Sequence, residues 1–440
     1  MTKKLFFLMA ATFGFAAAAS AGGLMTNTNY HIAFDRMMAR GASMEIDAAY
    51  SNPAGLAWGY DGFQLSLNFQ KPWQNRDIEW SGQTFEGKAS APIVPALFAS
   101  YKKDRWAVSS MIGIVGSGGF VKYDQGVPMF NALLMGLLQQ NGINPGTYNI
   151  DSEMKGKQYI YGGQVNFTYK IIDCLSAAVG LRANYYDGYY RGHVIANNHQ
   201  QLGDLAALEL DVDQRGWGFA PIVSLDFHQG PLTIAARYEF RTKIETENKT
   251  NMLNADLGAG VKTMMATTPE GLAKLQAIGA TMGTYTAAYQ DGVKTRYDMP
   301  ALLCAAVGYE ITPKLRATAE YHFFDDKNAK MAGDRQEELE HGTHEFLLGA
   351  EYDINDKFTV SLGGQRTDYG LSDNYQQDTS FACDSYSVGL GGAWNITEKM
   401  RLNAGYFITI YSDYTKTASF GQETYSRTNN VIGLGLDYKF

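Results

Sequence analysis

The sequence is short of cysteine. Its three, Cys174, Cys304 and Cys383, are too few and too far apart for a disulfide framework, and no CxxC or HExxH spacing occurs. The seven histidines are scattered as well, so no metal site and no cofactor is expected. Basic charge is also missing: at a formal net charge of −8 the chain offers no surface for nucleic acid, and no nucleic-acid partner is expected. Beyond residue 21 there is no unbroken apolar run of the about 20 residues that a membrane helix needs.

What is present begins with an address. MTKKLFFLMAATFGFAAAASAGG has two lysines, an apolar run from Leu5 to Ala19 and a small-residue Ala19-Ser20-Ala21 end, the pattern of a secretory signal peptide covering residues 1–21. Small residues at the cleavage positions, with no flanking stop-transfer charges, favour this over a membrane anchor. The mature chain is then expected to start at Gly22 and to be secreted, periplasmic or in an outer membrane.

From residue 62 one unit recurs: YKIIDCLSAAVGL (169–181), YEITPKLRATAEY (309–321), YDINDKFTVSLGG (352–364) and WNITEKMRLNAGY (394–406). Each is a strand ending in an aromatic residue, a tight polar turn and a second alternating strand, so each is an antiparallel hairpin. In 401–410, Leu402, Ala404, Tyr406, Ile408 and Ile410 share one face; Arg401, Asn403, Gly405 and Thr409 share the other, with Phe407 as the exception. A β-sandwich also alternates, but its strands usually run about 5 to 6 residues. Many runs here reach the about 9 to 11 residues that cross a bilayer as tilted strands.

The expected fold is therefore all-β: a transmembrane antiparallel barrel of about fourteen strands, in the bacterial outer membrane. The strands are placed near 62–73, 92–101, 106–116, 158–170, 175–193, 215–227, 232–247, 295–311, 315–325, 343–353, 358–369, 384–395, 400–413 and 429–440. Tyr101, Tyr169, Phe227, Tyr309, Tyr352, Trp394 and Tyr438 each fall where a returning strand ends, as the aromatic girdle of a barrel requires. Membrane lipid and lipopolysaccharide are the expected surroundings. The terminal Phe440, in the apolar phase of its strand, resembles the signal read by the outer-membrane assembly machinery.

The inferred lumen carries Arg182, Arg237, Glu239, Arg241, Glu320, His322, Glu345, Glu351 and Arg401, which read either as a satisfied polar network or as a wetted wall. Two long loops, at 117–157 and 248–294, contain helical patterns. Phe130, Leu133, Leu134, Leu137 and Leu138 lie on one helical face. Thr267 or Thr268 caps a second helix with Pro269 in its first turn, and Leu272, Leu275, Ile278 and Met282 share its face. Two apolar helices outside a barrel either pack on each other and the rim or form a greasy groove that captures an apolar ligand.

AAYSNPAGLA, at 48–57, packs a turn into a stretch apolar enough to want burial. On this segment, with the signal peptide, the strand pattern, the two loop helices and the terminal aromatic, the chain resembles the FadL/TodX outer-membrane transporters of long-chain fatty acids and other hydrophobic compounds. The resemblance implies that residues 22–61 form a hatch inside a barrel of 62–440, with Asn52, Pro53, Ala54 and Gly55 as its motif. It implies a kink in the third strand, where Gly113, Gly116, Gly118 and Gly119 would disrupt the ladder, and passive lateral release through it. A ligand carboxylate would favour a lumen cation, with Arg182, Arg237 and Arg401 as candidates. No catalytic residues are expected, and a monomer is.

Two other readings stay open. A diffusion porin for polar solutes would have an open, unplugged lumen. An outer-membrane hydrolase would need a serine, a histidine and a carboxylate converging, and neither His322 nor His344 is accompanied by a nucleophile motif.

Overall fold

Two-residue alternation sends every second side chain to lipid, and the backbone groups of such strands can be satisfied in a membrane only by closing the sheet. A computed structural model, describing residues 22–418 and 420–440 without the side chains of Ser90, Ser117, Gly118 and Tyr285, takes that form. The expected signal peptide, residues 1–21, lies outside the described residues.

Fourteen antiparallel strands make the wall. The first half comprises β1 (Gly62–Trp80), β2 (Val94–Lys103), β3 (Trp106–Tyr123), β4 (Asn149–Ile172), β5 (Leu175–Asn197), β6 (Ala206–Gln229) and β7 (Leu232–Glu239, resumed at Glu245–Leu257). The second comprises β8 (Lys294–Arg296, resumed at Leu302–Thr312), β9 (Leu315–Phe324), β10 (Thr343–Asp353), β11 (Phe358–Asp368), β12 (Ser385–Asn395), β13 (Met400–Tyr411) and β14 (Gly421–Lys439). β14 pairs with β1 from Lys439 against Gln64 to Glu423 against Trp80, which closes the barrel and leaves no edge there.

All the expected strands form, and several run further than alternation indicates. β3, β4 and β6 begin or end well beyond 106–116, 158–170 and 215–227 because their ladders continue past the lipid zone, where outward polar residues hide the pattern. The loops expected at 117–157 and 248–294 shrink to 124–148 and 258–293 accordingly. β7 and β8 are each broken once. Residues 240–244 of β7 face the shorter 218–221 of β6, and Pro221 there has no N–H to donate.

Leu434, Ile410 and Leu348 are more than half exposed, as lipid-facing side chains of an isolated chain must be. Tyr101, Tyr169, Tyr309, Tyr352 and Trp394 are exposed on the same outer surface, and Trp394 stacks on Phe358 across the strands at 6.1 Å. Phe407, which broke the alternation, is fully buried. It packs with Leu347 and Val431 against Phe34 and Met38 of the N-terminal segment. Its inward apolar side chain is a seat for the hatch.

The hatch, residues 22–61, carries helix α1 (Ile32–Met37), the single turn α2 (Ala48–Ser51) and a tight turn at Pro53–Trp58. His31 caps α1 through the Ala33 amide, at 3.0 Å. α1 lies directly on the backbone of the opposite wall. A Cβ at Gly363 would stand 1.8 Å from the Met37 carbonyl oxygen, at Gly389 2.5 Å from that of Asp35, and at Gly433 2.4 Å from Ile32 Cδ1. The glycines on the inner faces of β11, β12 and β14 are the space into which α1 fits.

Two further helices stand in the outer loops. α3 (Pro128–Gln140) matches the expected 128–140. α4 (Ala259–Met265) precedes α5 (Pro269–Thr286), whose Thr268 side chain accepts from the Gly271 amide at 3.0 Å. Among the described residues no helix is long and apolar enough to cross a membrane.

Candidate functional site

The Asn-Pro turn is a tether. Asn52 donates its amide to Asp226 on β6 at 2.5 Å, and the Trp58 indole donates to the other oxygen of the same carboxylate at 2.7 Å. The Ala54 amide donates to Ser224 at 3.0 Å, while Thr168 and Ser176 donate to the Pro53 and Ala54 carbonyls at 2.7 and 2.8 Å. Pro53 has no N–H to satisfy, and at Gly55 a Cβ would stand 2.4 Å from the Ser43 carbonyl oxygen. The motif therefore brings backbone acceptors and one amide against three strands. Unpaired, such buried groups would cost about 1–3 kcal/mol each.

A second set of contacts fixes the rest of the hatch through charge. Arg36 pairs with Glu351 and donates to Ser361 at 2.7 Å. Arg40 pairs with Asp47 and with Glu45, both at 2.7 Å, and Glu45 with Arg401 at 2.6 Å. Arg316 reaches Glu351 and Asp353, both at 2.8 Å. Arg182 and Arg237 both lie against Glu239, the second at 3.8 Å, and Arg237 also donates to the Tyr50 carbonyl at 2.9 Å. All three candidate carboxylate partners, Arg182, Arg237 and Arg401, thus already face a carboxylate of the protein. Sequence cannot show this, because the partners lie on other strands or on the hatch.

Cys304, Glu320 and His322 converge on β8 and β9 within mutual reach. Their groups are already engaged: His322 with Glu320 at 2.6 Å and Glu345 at 2.9 Å, and Cys304 with Arg237 at 3.3 Å. Glu320 also accepts from the Gly41 amide at 2.7 Å. The cluster braces the hatch.

The third strand is irregular where its glycines fall. The β3–β4 ladder shifts register between Ile114 and Gly116 and again between Ser117 and Gly119. On its other side the β2–β3 ladder stops at Leu97 against Ile112, and pairing resumes only at Ser90 against Phe120 through the short strand Gly87–Ser90. Residues 113–119 are thus left without ladder partners on that side. The hatch takes part of their place. The Asn27 amide donates to the Val115 carbonyl at 3.1 Å, the Asn27 side chain to Ile114 at 3.2 Å, and the Tyr30 hydroxyl to Val115 at 3.0 Å. At Gly116 a Cβ would stand 2.5 Å from the Met25 carbonyl oxygen, and at Gly113 3.5 Å from Ala96 Cβ. Gly119 falls at the second register shift, and the surroundings of Gly118 lie outside the described residues. Asn27 and Tyr30 escaped the sequence reading because a polar segment with no repeat carries no signal.

Three clusters of packed apolar residues lie between the outer loops and the interrupted third strand. Outermost, Leu134 and Leu138 of α3 pack with Ile278 and Met282 of α5 and Val261 and Met265 of α4, with Phe130, Leu137 and Leu275 at their edge. Leu133 is half-buried, and Leu272 is 51% exposed, off the packed face. Below them Val121, Tyr123, Val127, Phe381 and Tyr411 form a second cluster that Phe130 also touches. The innermost joins Met25, Tyr30 and Tyr50 of the hatch to Val115 at the kink and to Ile160 and Tyr186.

Residues 264–440 match the family model of the outer membrane protein beta-barrel domain. No curated protein matches the chain in sequence. Among solved structures, a FadL homologue of Pseudomonas aeruginosa superposes with a TM-score of 0.67 at 13% identity, covering 95% of this chain and 100% of the other. The toluene transporter TodX of Pseudomonas putida does so at 0.60 and 12%, covering 97% and 100%. TbuX, the toluene transporter of Ralstonia pickettii, does so at 0.54 and 14%, covering 98% and 100%. The chain is an integral bacterial outer-membrane β-barrel. Its fold, a closed fourteen-stranded barrel with an N-terminal hatch, is that of the FadL and TodX structures.

Proposed function

We propose that this protein is a monomeric outer-membrane channel for the passive uptake of hydrophobic and amphipathic small molecules of the long-chain fatty acid type. Ligand is captured by α3 and α5 and released sideways through the interrupted third strand, with no cofactor and no catalytic step. The observation that carries this reading is the open stretch of the β2–β3 ladder, lined from inside by Asn27 and Tyr30. The apolar clusters that lead down to it, and the toluene transporters among the similar structures, support the same reading.

The energetics are compatible with a ligand-driven gate. Three hydrogen bonds hold the hatch to Ile114 and Val115, and a typical protein hydrogen bond contributes about 0.5–1.5 kcal/mol net. Releasing all three costs a few kcal/mol, whereas each methylene that leaves water gains about 0.8 kcal/mol. An alkyl chain of moderate length supplies enough. An open porin is disfavoured because α1 rests on wall backbone and the hatch arginines Arg36 and Arg40 are locked in ion pairs.

The test fills the opening. Gly113→Leu places an apolar side chain beside Ala96 at its edge. In liposomes carrying purified protein, uptake of a labelled long-chain fatty acid is expected to be saturable in the wild type and reduced to background in Gly113→Leu, with binding to the loops retained. Passage of small polar solutes by the wild type, without fatty-acid uptake, would overturn the reading in favour of a porin.

A further inference from the structure

The barrel's register sets one row of inward side chains across four strands. Arg237 on β7 stands opposite Cys304 on β8, Cys304 opposite His322 on β9, and His322 opposite Glu345 on β10. Directly opposed residues hold their Cβ atoms about 4.5–5.5 Å apart, so a thiol and an imidazole meet across β8 and β9. Glu320, two residues before His322, shares its face of the strand, and its Oε1 lies 2.6 Å from His322 Nε2. Sulfur, imidazole nitrogen and carboxylate oxygen all lie within 4.8 Å of one another, and all three residues are buried. Among the described residues no other group of three or more His, Cys, Asp and Glu side chains is gathered in this way. The chain's local spacing gave no sign of it, because the thiol and the imidazole sit on separate strands.

One sulfur, one imidazole and one carboxylate are donors that zinc accepts together, whereas calcium and magnesium take oxygen ligands. His322 is oriented for the task. Its Nδ1 bonds to Glu345 Oε2 at 2.9 Å, which leaves Nε2 facing Glu320 and Cys304; a metal-bound histidine characteristically gives its other N–H to a carboxylate in this way. Coordination needs Nε2 and Sγ without protons, so an ion takes the place of the proton between His322 and Glu320 and of the thiol proton. Arg237 donates to Cys304 Sγ at 3.3 Å and has its own counter-charge in Glu239 at 3.8 Å, so it serves the sulfur as an outer hydrogen-bond donor. Glu239, Glu320 and Glu345 bring three negative charges, and Arg182 and Arg237 two positive ones. A thiolate adds a fourth negative charge, and a divalent ion balances the whole.

The hatch closes over this row at two points. The Gly41 amide donates to Glu320 Oε2 at 2.7 Å, and a Cβ at Gly41 would stand 2.6 Å from Glu320 Oε1 and 2.7 Å from Ala306 Cβ. The Gly22 amide donates to Glu345 Oε1 at 3.0 Å. A Cβ at Gly23 would stand 2.8 Å from Phe324 Cδ1, and the Phe324 ring meets that of His322 edge-on at 6.0 Å. The carboxylate that offers an oxygen to an ion and the one that steadies the imidazole are thus both anchors of the hatch.

We propose that Cys304, Glu320 and His322 bind a divalent metal ion of the zinc type, with Glu345 holding the imidazole and Arg237 the sulfur in place. The ion fixes Glu320 beneath Gly41 and so clasps the hatch to β8 and β9. Three protein ligands leave the fourth tetrahedral position to a water. The assignment is independent of what the barrel transports.

The experiment counts metal in the full barrel. Protein refolded into nonionic detergent with excess Zn2+, then freed of loose ion by gel filtration, is expected to retain about one zinc per chain, with an equal excess of Ca2+ failing to compete. C304S, with its heat-dependent gel shift intact, is expected to lose the zinc, while C174S and C383S keep it. E345Q, which leaves all three ligands in place, is expected to bind zinc about 10–100-fold more weakly. Refolding the wild type with Co2+ is expected to give the intense thiolate-to-cobalt absorption, which reports sulfur coordination even if C304S does not fold. A folded wild type that retains no ion, or a cobalt protein without that absorption, overturns the assignment. Retention unchanged in C304S overturns it too, since the zinc would then be an adventitious ion on surface carboxylates.

Discussion

At the residue scale the hatch motif illustrates how one side chain is valued by what it leaves behind. Asn52 and Trp58 share the Asp226 carboxylate, which is fully buried. Removing the Asn52 amide leaves that carboxylate with one side-chain donor, so Asn52→Ala is expected to destabilise by about 1–3 kcal/mol. Replacing Asp226 as well, as Asn52→Ala/Asp226→Ala, should cost less than the sum of the two single changes, because the orphaned acceptor disappears with its donor. Denaturant unfolding of the four proteins in micelles measures the coupling; strict additivity would show that the contact does not hold the turn. The same logic separates the arginines. Arg182, Arg237 and Arg401 already face carboxylates, whereas Arg76 and Arg427 donate to neutral oxygens, both to Gln74 and Arg76 also to the Phe381 carbonyl.

At the scale of elements, α1 and the wall it rests on are one unit. Gly363, Gly389 and Gly433 let the helix approach the strands' backbone closer than any side chain permits. Gly363→Ala puts a methyl group where the Met37 carbonyl oxygen now lies, 1.8 Å away. Neither partner is a flexible side chain, so the helix must shift. The expected outcome is a loss of about 1–3 kcal/mol, in the range of overpacked cores, and a rise in ion conductance in planar bilayers as α1 moves off the wall. Conductance unchanged from wild type would show that α1 does not seal the lumen on that side. Gly364, the next residue, has only the Ser387 carbonyl oxygen near its Cβ position, at 3.6 Å, and Gly364→Ala serves as the control.

At the scale of the whole molecule, closure depends on the seam between first and last strands. Phe440 donates its amide to Phe63 at 3.0 Å and its ring lies 5.1 Å from that of Phe63, yet its side chain is 54% exposed. Its burial therefore contributes little to the folded barrel. If the exposed ring is instead read by the assembly machinery, as proposed from its position, Phe440→Ala should refold in detergent as the wild type does and reach the outer membrane several-fold less abundantly. Equal losses in both settings would assign Phe440 to barrel stability instead.

The sequence alone determined the strand number, the inward and outward faces, the aromatic belt, the loop helices α3 and α5 and the buried Asn-Pro turn. Each of these is a local pattern: a period of two, a period of 3.6, or a turn residue at its place. Phe407 marked the limit, since its break in the pattern was visible and its cause, a seat for Phe34 and Met38, was not. What the tertiary structure decided is which groups meet. Gly363 faces Met37, Asn27 caps Ile114 and Val115, Glu45 answers Arg401, and Arg76 falls beside Arg427 with no acid between them. These pairs are tens to hundreds of residues apart in the chain. Closing the barrel and threading the hatch through it bring them together, and neither contact register nor charge balance at that separation leaves a trace in local periodicity.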